Sequence, residues 1–244
     1  MTSIKHPPYH YHAHAHAFSG ELVRPIKNSI EAQAGVSLPY LGGHGRASVE
    51  NFSLNHLVTF RQGYSHVSGS KGPNGNHTSH TTVAIEGLNI LDVVTADHVV
   101  ARLTSDHDPA EREGHIITMG SRFDNLRISG CPVDVELDHE LFLKAKNITD
   151  LSKQVASLKK SGRIADESNG VVICSLVKKI DLKCSGTDVQ GHVVIVPQFG
   201  KIHFGELISS HGSKRITMMR LELGSPVEGQ MVMASAFING TPFP

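Results

Sequence analysis

"YHYHAHAHAFSG", residues 9–20, puts a histidine at every second position from His10 to His16, with tyrosine or alanine between them. A repeat of two is the period of a β-strand, in which successive side chains point to opposite faces. Read as a strand, the segment sends His10, His12, His14 and His16 to one side and Tyr9, Tyr11, Ala13, Ala15 and Ala17 to the other. The small residues allow a second layer to pack closely behind them. Neighbouring imidazoles on the shared face then sit about 6.6–7 Å apart, from a rise of about 3.3–3.4 Å per residue.

Two imidazoles at that spacing can converge on one ion whose bonds to nitrogen are about 2.0–2.1 Å long, but a third on the same strand cannot reach it. A complete site needs ligands from other strands. His44, His56, His66, His98, His107, His115, His139, His192, His203 and His211 are the available pool. His10, His12, His14 and His16 are therefore candidate ligands of a divalent transition metal, Zn, Cu or Ni. Two other readings compete: a polar face, solvated or lining a cavity, and part of a purification sequence, although the chain runs on without a scar. If the face is enclosed, each neutral imidazole needs a hydrogen-bond partner and joint protonation is repulsive, which makes it a pH-sensitive element.

The period of two continues outward from this segment. It runs through "RASVENFSL" (46–54), "VVTADHVVARLTS" (93–105), "HIITMGSRFDNLRI" (115–128) and "KRITMMRLEL" (214–223). Turn-forming clusters separate them: "GSKGPNGNHTSH" (69–80), "SDHDPAEREG" (105–114), "CSGT" (184–187) and "HGSK" (211–214). The pattern predicts long strands over 45–68, 80–104 and 115–137, followed by 170–180, 189–196, 200–210, 214–224 and 228–238. The expectation is an all-β chain, an antiparallel sandwich or barrel-like structure forming a single domain over 1–244. One stretch departs from it. In "NITDLSKQVASLKKSGRIADE" (147–167), Leu151, Val155 and Leu158 recur at helical spacing, Thr149 is placed to cap the N-terminus, and Lys159 and Lys160 precede Gly162. A helical insertion at about 139–162 is expected, as a plug or lid over an open side of the sheets.

Composition limits the partners. Lys+Arg and Asp+Glu both number 23, so no general field draws the chain to nucleic acid or to an anionic membrane. The 17 histidines would make it cationic in mild acid. No apolar run long enough to span a membrane as a helix occurs, and "MTSIKHPPYH" lacks an apolar leader core, so a cytoplasmic location is expected. Cys131, Cys174 and Cys184 are odd in number and lack C-x-x-C spacing, which reads as buried free thiols.

Enzymatic motifs do not form. There is no G-x-S-x-G elbow, and "LGGHG" (41–45) and "GPNGN" (72–76) are turns, not phosphate loops. Asp97 and His98 are adjacent in a strand and so face opposite ways. Asp106 and Asp108 lie at a charged turn. Cys131 is a candidate thiol nucleophile, but a small buried filler fits it better.

Several strand blocks resemble the choice-of-anchor P family of bacterial surface proteins: "ASVENFSL" (47–54), "EGLNILDVVTADHVVARLTS" (86–105), "GSRFDNLRISGCPVDVEL" (120–137), "VVIVPQFGKIHFGEL" (193–207) and "MVMASA" (231–236). The resemblance implies an all-β fold and carries over no catalytic residue. The chain departs from it in the histidine strand and the helix. The functional expectation is a non-enzymatic binding or self-assembling β domain, a homo-oligomer built through unpaired sheet edges, whose small ligand is not specified. The alternative is a metal-binding protein or metal-dependent enzyme using the histidine strand.

Overall fold

The computed structural model describes residues 9–111, 113–145 and 147–242. The histidine segment opens β1 (Tyr9–Arg24), and the alternation of its sequence is the alternation of its burial. Tyr9, Tyr11, Ala13 and Ala15 are buried, His10, His14 and His16 are half-buried, and His12 is exposed. β2 (Asn28–Gln33) and β3 (Val36–Ser37) pair with one side of β1. The chain then crosses to a second sheet and forms a meander of β4 (Gly43–Leu54), β5 (Val58–Lys71), β6 (His77–Ile90) and β7 (Val94–His107). The short strands β8 (His115–Ile117), β9 (Arg122–Asp124) and β10 (Arg127–Ile128) pair with β7, and β11 (Cys131–Leu137) pairs with β10.

Two helices follow, α1 (Leu141–Lys144) and α2 (Ile148–Lys160). β12 (Asp166–Ser168) and β13 (Val171–Ser175) return to the first sheet, whereas β14 (Val177–Leu182) pairs with β11 in the second. β15 (Asp188–Gln190), β16 (Val193–Val196), β17 (Gly200–Ser210), β18 (Ser213–Leu223) and β19 (Glu228–Pro242) complete the first sheet. The result is an antiparallel β-sandwich of a ten-stranded sheet, ordered β12-β13-β17-β18-β19-β1-β2, and a nine-stranded sheet, ordered β14-β11-β10-β7-β6-β5-β4.

β1 and β19 lie across β5, β6 and β7, and the core sits between them. Small residues set how closely the layers approach: a Cβ added at Gly63 would lie 2.9 Å from the Ala17 methyl, and one at Gly69 would lie 2.7 Å from the Tyr11 ring. Elsewhere the gap is filled by large side chains such as Phe18, Phe204, Ile85 and Leu103, each fully buried and each stabilising by about 1.5–3 kcal/mol. α2 buries Ile148, Leu151, Val155 and Leu158 and packs on β12 and β13. In β13, Val172 and Cys174 are buried while Ile173 between them is exposed, so the helix covers the inner side of that strand.

Four expectations need correction. The stretches 45–68 and 80–104 are hairpins, not single strands, because the chain reverses at Asn55–His56 (φ +44° and +57°) and at Leu91–Asp92 (φ +52° and +56°). Two consecutive left-handed residues make the tight turn whose twist matches the flanking strands. The stretches 115–137, 170–180 and 189–196 also divide, the second at the fully buried Leu176, where the chain passes from one sheet to the other, and the third at Gly191–His192, where β15 turns back onto β16. Helix α2 begins at Ile148 and is capped by Asn147, whose side chain accepts from the Asp150 N–H; Thr149 lies inside the helix. Cys131 and Cys184 form a disulfide, and only Cys174 is a free, buried thiol. Spacing in sequence gave no hint of the pair, because β11 and the 184–187 turn meet only once β14 has paired with β11.

A row of left-handed residues crosses each sheet. Asn51 in β4 and Gly87 in β6 have φ of +52° and +64°, and Gly205 in β17 and Ala234 in β19 have φ of +58° and +49°. Each stands opposite a residue of the neighbouring strand where the regular register is interrupted: Gly205 opposite Met218, and Ala234 opposite both Met218 and Ala17. At this row the inward and outward positions exchange, so residues three apart, not two, share a face. In β1 the exchange falls after His16 and ends the histidine run.

Candidate functional site

The same exchange builds a group of five ionisable side chains on the outer face of the first sheet. In β17 it places His203 and Glu206 together on either side of Gly205. Arg220 and Glu222 reach the group from β18, where Arg220 is in register with His203. His192 joins it from the turn before β16, which is held to β17 by the Phe204 N–H donating to the His192 carbonyl at 3.0 Å.

Arg220 grips Glu206 with a two-pronged bond, Nε donating to Oε2 at 2.6 Å and Nη2 to Oε1 at 2.8 Å, while its Nη1 donates to Glu222 Oε1 at 2.6 Å. His203 stands between the two carboxylates: Nδ1 is 3.4 Å from Glu206 Oε1 and Nε2 is 3.3 Å from Glu222 Oε1, the latter contact being close but not aligned as a hydrogen bond. His192 Nε2 is 3.8 Å from Glu206 Oε1, and its Nδ1 is buried without a partner. Burial acts to raise the Glu206 pKa, but the hydrogen bonds from Arg220 and the nearby His192 and His203 rings outweigh it and hold the carboxyl far below the usual range. The Arg220 bond likewise lowers Glu222, and the bond to Glu206 raises Arg220. Beside the group is a shallow depression of ≈ 560 Å³ bordered by Gly20, Glu21, Glu222, Gln230 and Val232.

The predicted histidines stand on the same outer face, on β1. His10 lies 4.1 Å from the Tyr40 ring, His12 meets the same ring edge-on at 5.7 Å, and His14 stacks on Phe237 at 4.3 Å. Ser19 Oγ is 2.9 Å from His16 Nε2, three residues on and across the exchange point. Burial lowers the pKa of both His14 and His16, pushing His16 down to about 4. The residues in register with His10, His12, His14 and His16 on β19 are Thr241, Asn239, Phe237 and Ser235, and Ser37 of β3 faces His14. The structure thus gathers the four on one face but brings no histidine or carboxylate of a paired strand into register with them.

Other candidates resolve into local structure. His98 pairs with Asp124 of β9 at 3.3 Å and not with its neighbour Asp97. Asp106 accepts from Asn76 and Thr78, and Asp108 accepts from the Ala110 N–H in a turn. The Cys131 sulfur is in the disulfide, which removes it as a nucleophile.

A family described as a domain of unknown function, DUF8256, matches residues 9–161 and 144–210. The chain belongs to this family. No curated protein and no solved structure matches it. The DUF8256 match takes in β1 and its histidines together with His192, His203 and Glu206, while Arg220 and Glu222 lie beyond it. No helix among the described residues of this DUF8256 chain is long and apolar enough to cross a membrane.

Sequence reasoning held His192 and His203 only as members of a pool and passed over Glu206. The available signal was "HFGE" (203–206), a histidine and a carboxylate three apart around a glycine within a strand. In a regular strand they point to opposite faces. A glycine able to take positive φ is what reverses that reading.

Proposed function

We propose that the chain is a non-enzymatic binding domain that pairs with a second copy of itself across the outer face of the first sheet. The observation that carries this reading is an apolar contact left open in a polar face. Ile173 of β13 and Ile208 of β17 are in register and 50% and 40% exposed, respectively. The row continues through Arg215 and Phe237 to His14, with the Arg215 guanidinium 6.0 Å from the Phe237 ring centre.

The edges of the second sheet are less suited to the task. β4 carries Arg46, Glu50 and the left-handed Asn51, and β14 carries Lys178, Lys179 and Asp181, the charges and irregularities that blunt strand addition. The outer face holds both Arg215 and Arg220 and both Glu206 and Glu222, so a two-fold apposition can place opposite charges together. With 23 basic and 23 acidic residues, two copies do not repel through net charge. The disulfide supports an oxidising compartment over the cytoplasmic location expected from the sequence.

Sedimentation velocity across a concentration series tests the proposal. A concentration-dependent dimer that Ile208→Glu abolishes is the expected result. A strict monomer at every concentration, or a dimer indifferent to Ile208→Glu, would overturn it.

A further inference from the structure

Apart from its two imidazoles, the group around Glu206 sets two carboxylates against one guanidinium. Glu206 and Glu222 face Arg220 in direct contact, while the exposed Lys201 adds a more screened positive charge beside Glu222. His203 exposes the same imbalance in its own bonding. It lies between two carboxylates, one at each ring nitrogen, yet a neutral imidazole has one N–H and can donate to only one of them. A cation on the Nδ1 side resolves this: Nδ1 becomes a ligand and the remaining proton on Nε2 is directed to Glu222.

We propose that His192, His203 and Glu206 form a binding site for one divalent transition metal ion of the zinc type. The proposal does not rest on the self-association reading or on the histidines of β1, although Glu206, Arg220 and Glu222 stand on the face that reading uses. Two histidines and a glutamate are a donor set for zinc, with a fourth position left to solvent. The ligand atoms already lie within 4.8 Å of one another, and the separations of 3.4 Å and 3.8 Å to Glu206 Oε1 approach the roughly 3.3 Å that tetrahedral bonds of about 2.05 Å require. Rotation of the imidazoles closes the remainder. His192 is 7% exposed, and its Nδ1 has no partner within the protein.

The surrounding groups take the supporting roles that ligands need. Glu222, 3.3 Å from His203 Nε2 but not aligned with it, is placed to accept that proton once the ring turns onto the metal, the carboxylate–histidine–metal relay that fixes a ligand's tautomer. Arg220 does not exclude the metal. An ionised carboxylate has about four lone-pair positions, and the guanidinium takes one on each Glu206 oxygen. Its grip orients Glu206 with an unused lone pair on Oε1, the atom nearest both histidines.

Cobalt(II) titration of the untagged full chain, read by visible absorption, is the test. The expected result is one Co(II) per chain with the intense bands of a four-coordinate site, displaced by Zn(II). The bands should persist when His10, His12, His14 and His16 are all replaced by alanine, and should vanish in His203→Ala and in His192→Gln. Glu222→Gln, which leaves the ligands in place, should weaken binding about 10–100-fold. Should His203→Ala fail to fold by circular dichroism, His192→Gln and Glu222→Gln decide. Absence of bound Co(II) in the unaltered chain overturns the proposal, and so do bands that survive His192→Gln but are lost with the β1 histidines.

Discussion

His203 and Glu206 share a face of β17 because Gly205 between them turns the strand at φ +58°. Alanine at that position adopts the left-handed conformation at a cost of about 1–2 kcal/mol, and its Cβ would meet Val177 Cγ2 at 3.3 Å. Gly205→Ala is therefore expected to lower the melting temperature by about 2–8 °C, at about 2–4 °C per kcal/mol for a domain of this size. Ala234 provides the control. It occupies the same row in β19 at φ +49° and is fully buried, so Ala234→Gly relieves similar strain while losing a methyl worth about 0.8 kcal/mol. Thermal melts should show Ala234→Gly near neutral, and a large loss there would contradict the account of the row.

The part of this fold that was legible in sequence is the part set by local alternation. The faces of β1 could be read because alanine and histidine differ sharply in what burial costs, and α2 could be read because Leu151, Val155 and Leu158 repeat at helical spacing. Leu91 at φ +52° shows where reading stops: a leucine carries no local preference for that conformation, and pairing of β6 with β7 imposes it. Asn51 and Gly87 tolerate the left-handed region, but nothing local says that their rows align across strands. The group around Glu206 was hidden for the same reason. It is assembled from a turn and two strands by register, and its phase within β17 depends on one glycine.

The disulfide carries a chemical prediction. Under denaturing, non-reducing conditions the chain should alkylate at one thiol, Cys174, and at three after reduction. In the folded protein Cys174 should resist, since burial pushes its pKa up to about 12 and leaves little thiolate. The bridge closes a separation of 53 residues, for which chain entropy gives about 4 kcal/mol. Cys131→Ser should lower stability by a sizeable part of that in denaturant melts. Mass spectrometry finding three reactive thiols without reductant would remove the bridge.

Glu113 anchors the start of α2 from outside the helix. Its Oε2 accepts from the Ile148 N–H at 3.1 Å and lies 3.4 Å from Lys214 Nζ, and its Oε1 bonds His211 Nδ1 at 2.7 Å. Glu113 and Lys214 side chains are only 8% and 6% exposed. Removing the carboxylate leaves a buried ammonium unpaired, which costs about 3–5 kcal/mol. Glu113→Gln should therefore show a loss of that order in urea unfolding, whereas Glu111→Gln, whose side chain is 50% exposed, should change stability by less than about 1 kcal/mol. Equal effects of the two would refute the anchoring role.

Acid should destabilise the sandwich before its carboxylates titrate. Burial first, and then the charges of His14 and Arg215, push the His16 pKa down to about 4, against an unfolded value near 6.5. His14, His77, His80 and His107 are lowered too, each chiefly by burial. A group with a depressed folded pKa takes its proton first in the unfolded chain, so its stabilisation is complete above about pH 6.5 and is lost as the pH falls toward 4. His16 contributes less than the full slope of about 1.4 kcal/mol per pH unit, since solvent reaches part of the ring. Melting temperatures measured at intervals from pH 7 to 4.5 should fall, and His16→Asn, which keeps a polar partner for Ser19, should fall less steeply. The window stops short of the range in which Glu206 and Glu222, both held below the usual carboxylate value, take up protons. A slope unchanged by His16→Asn would place the acid sensitivity with the other buried histidines.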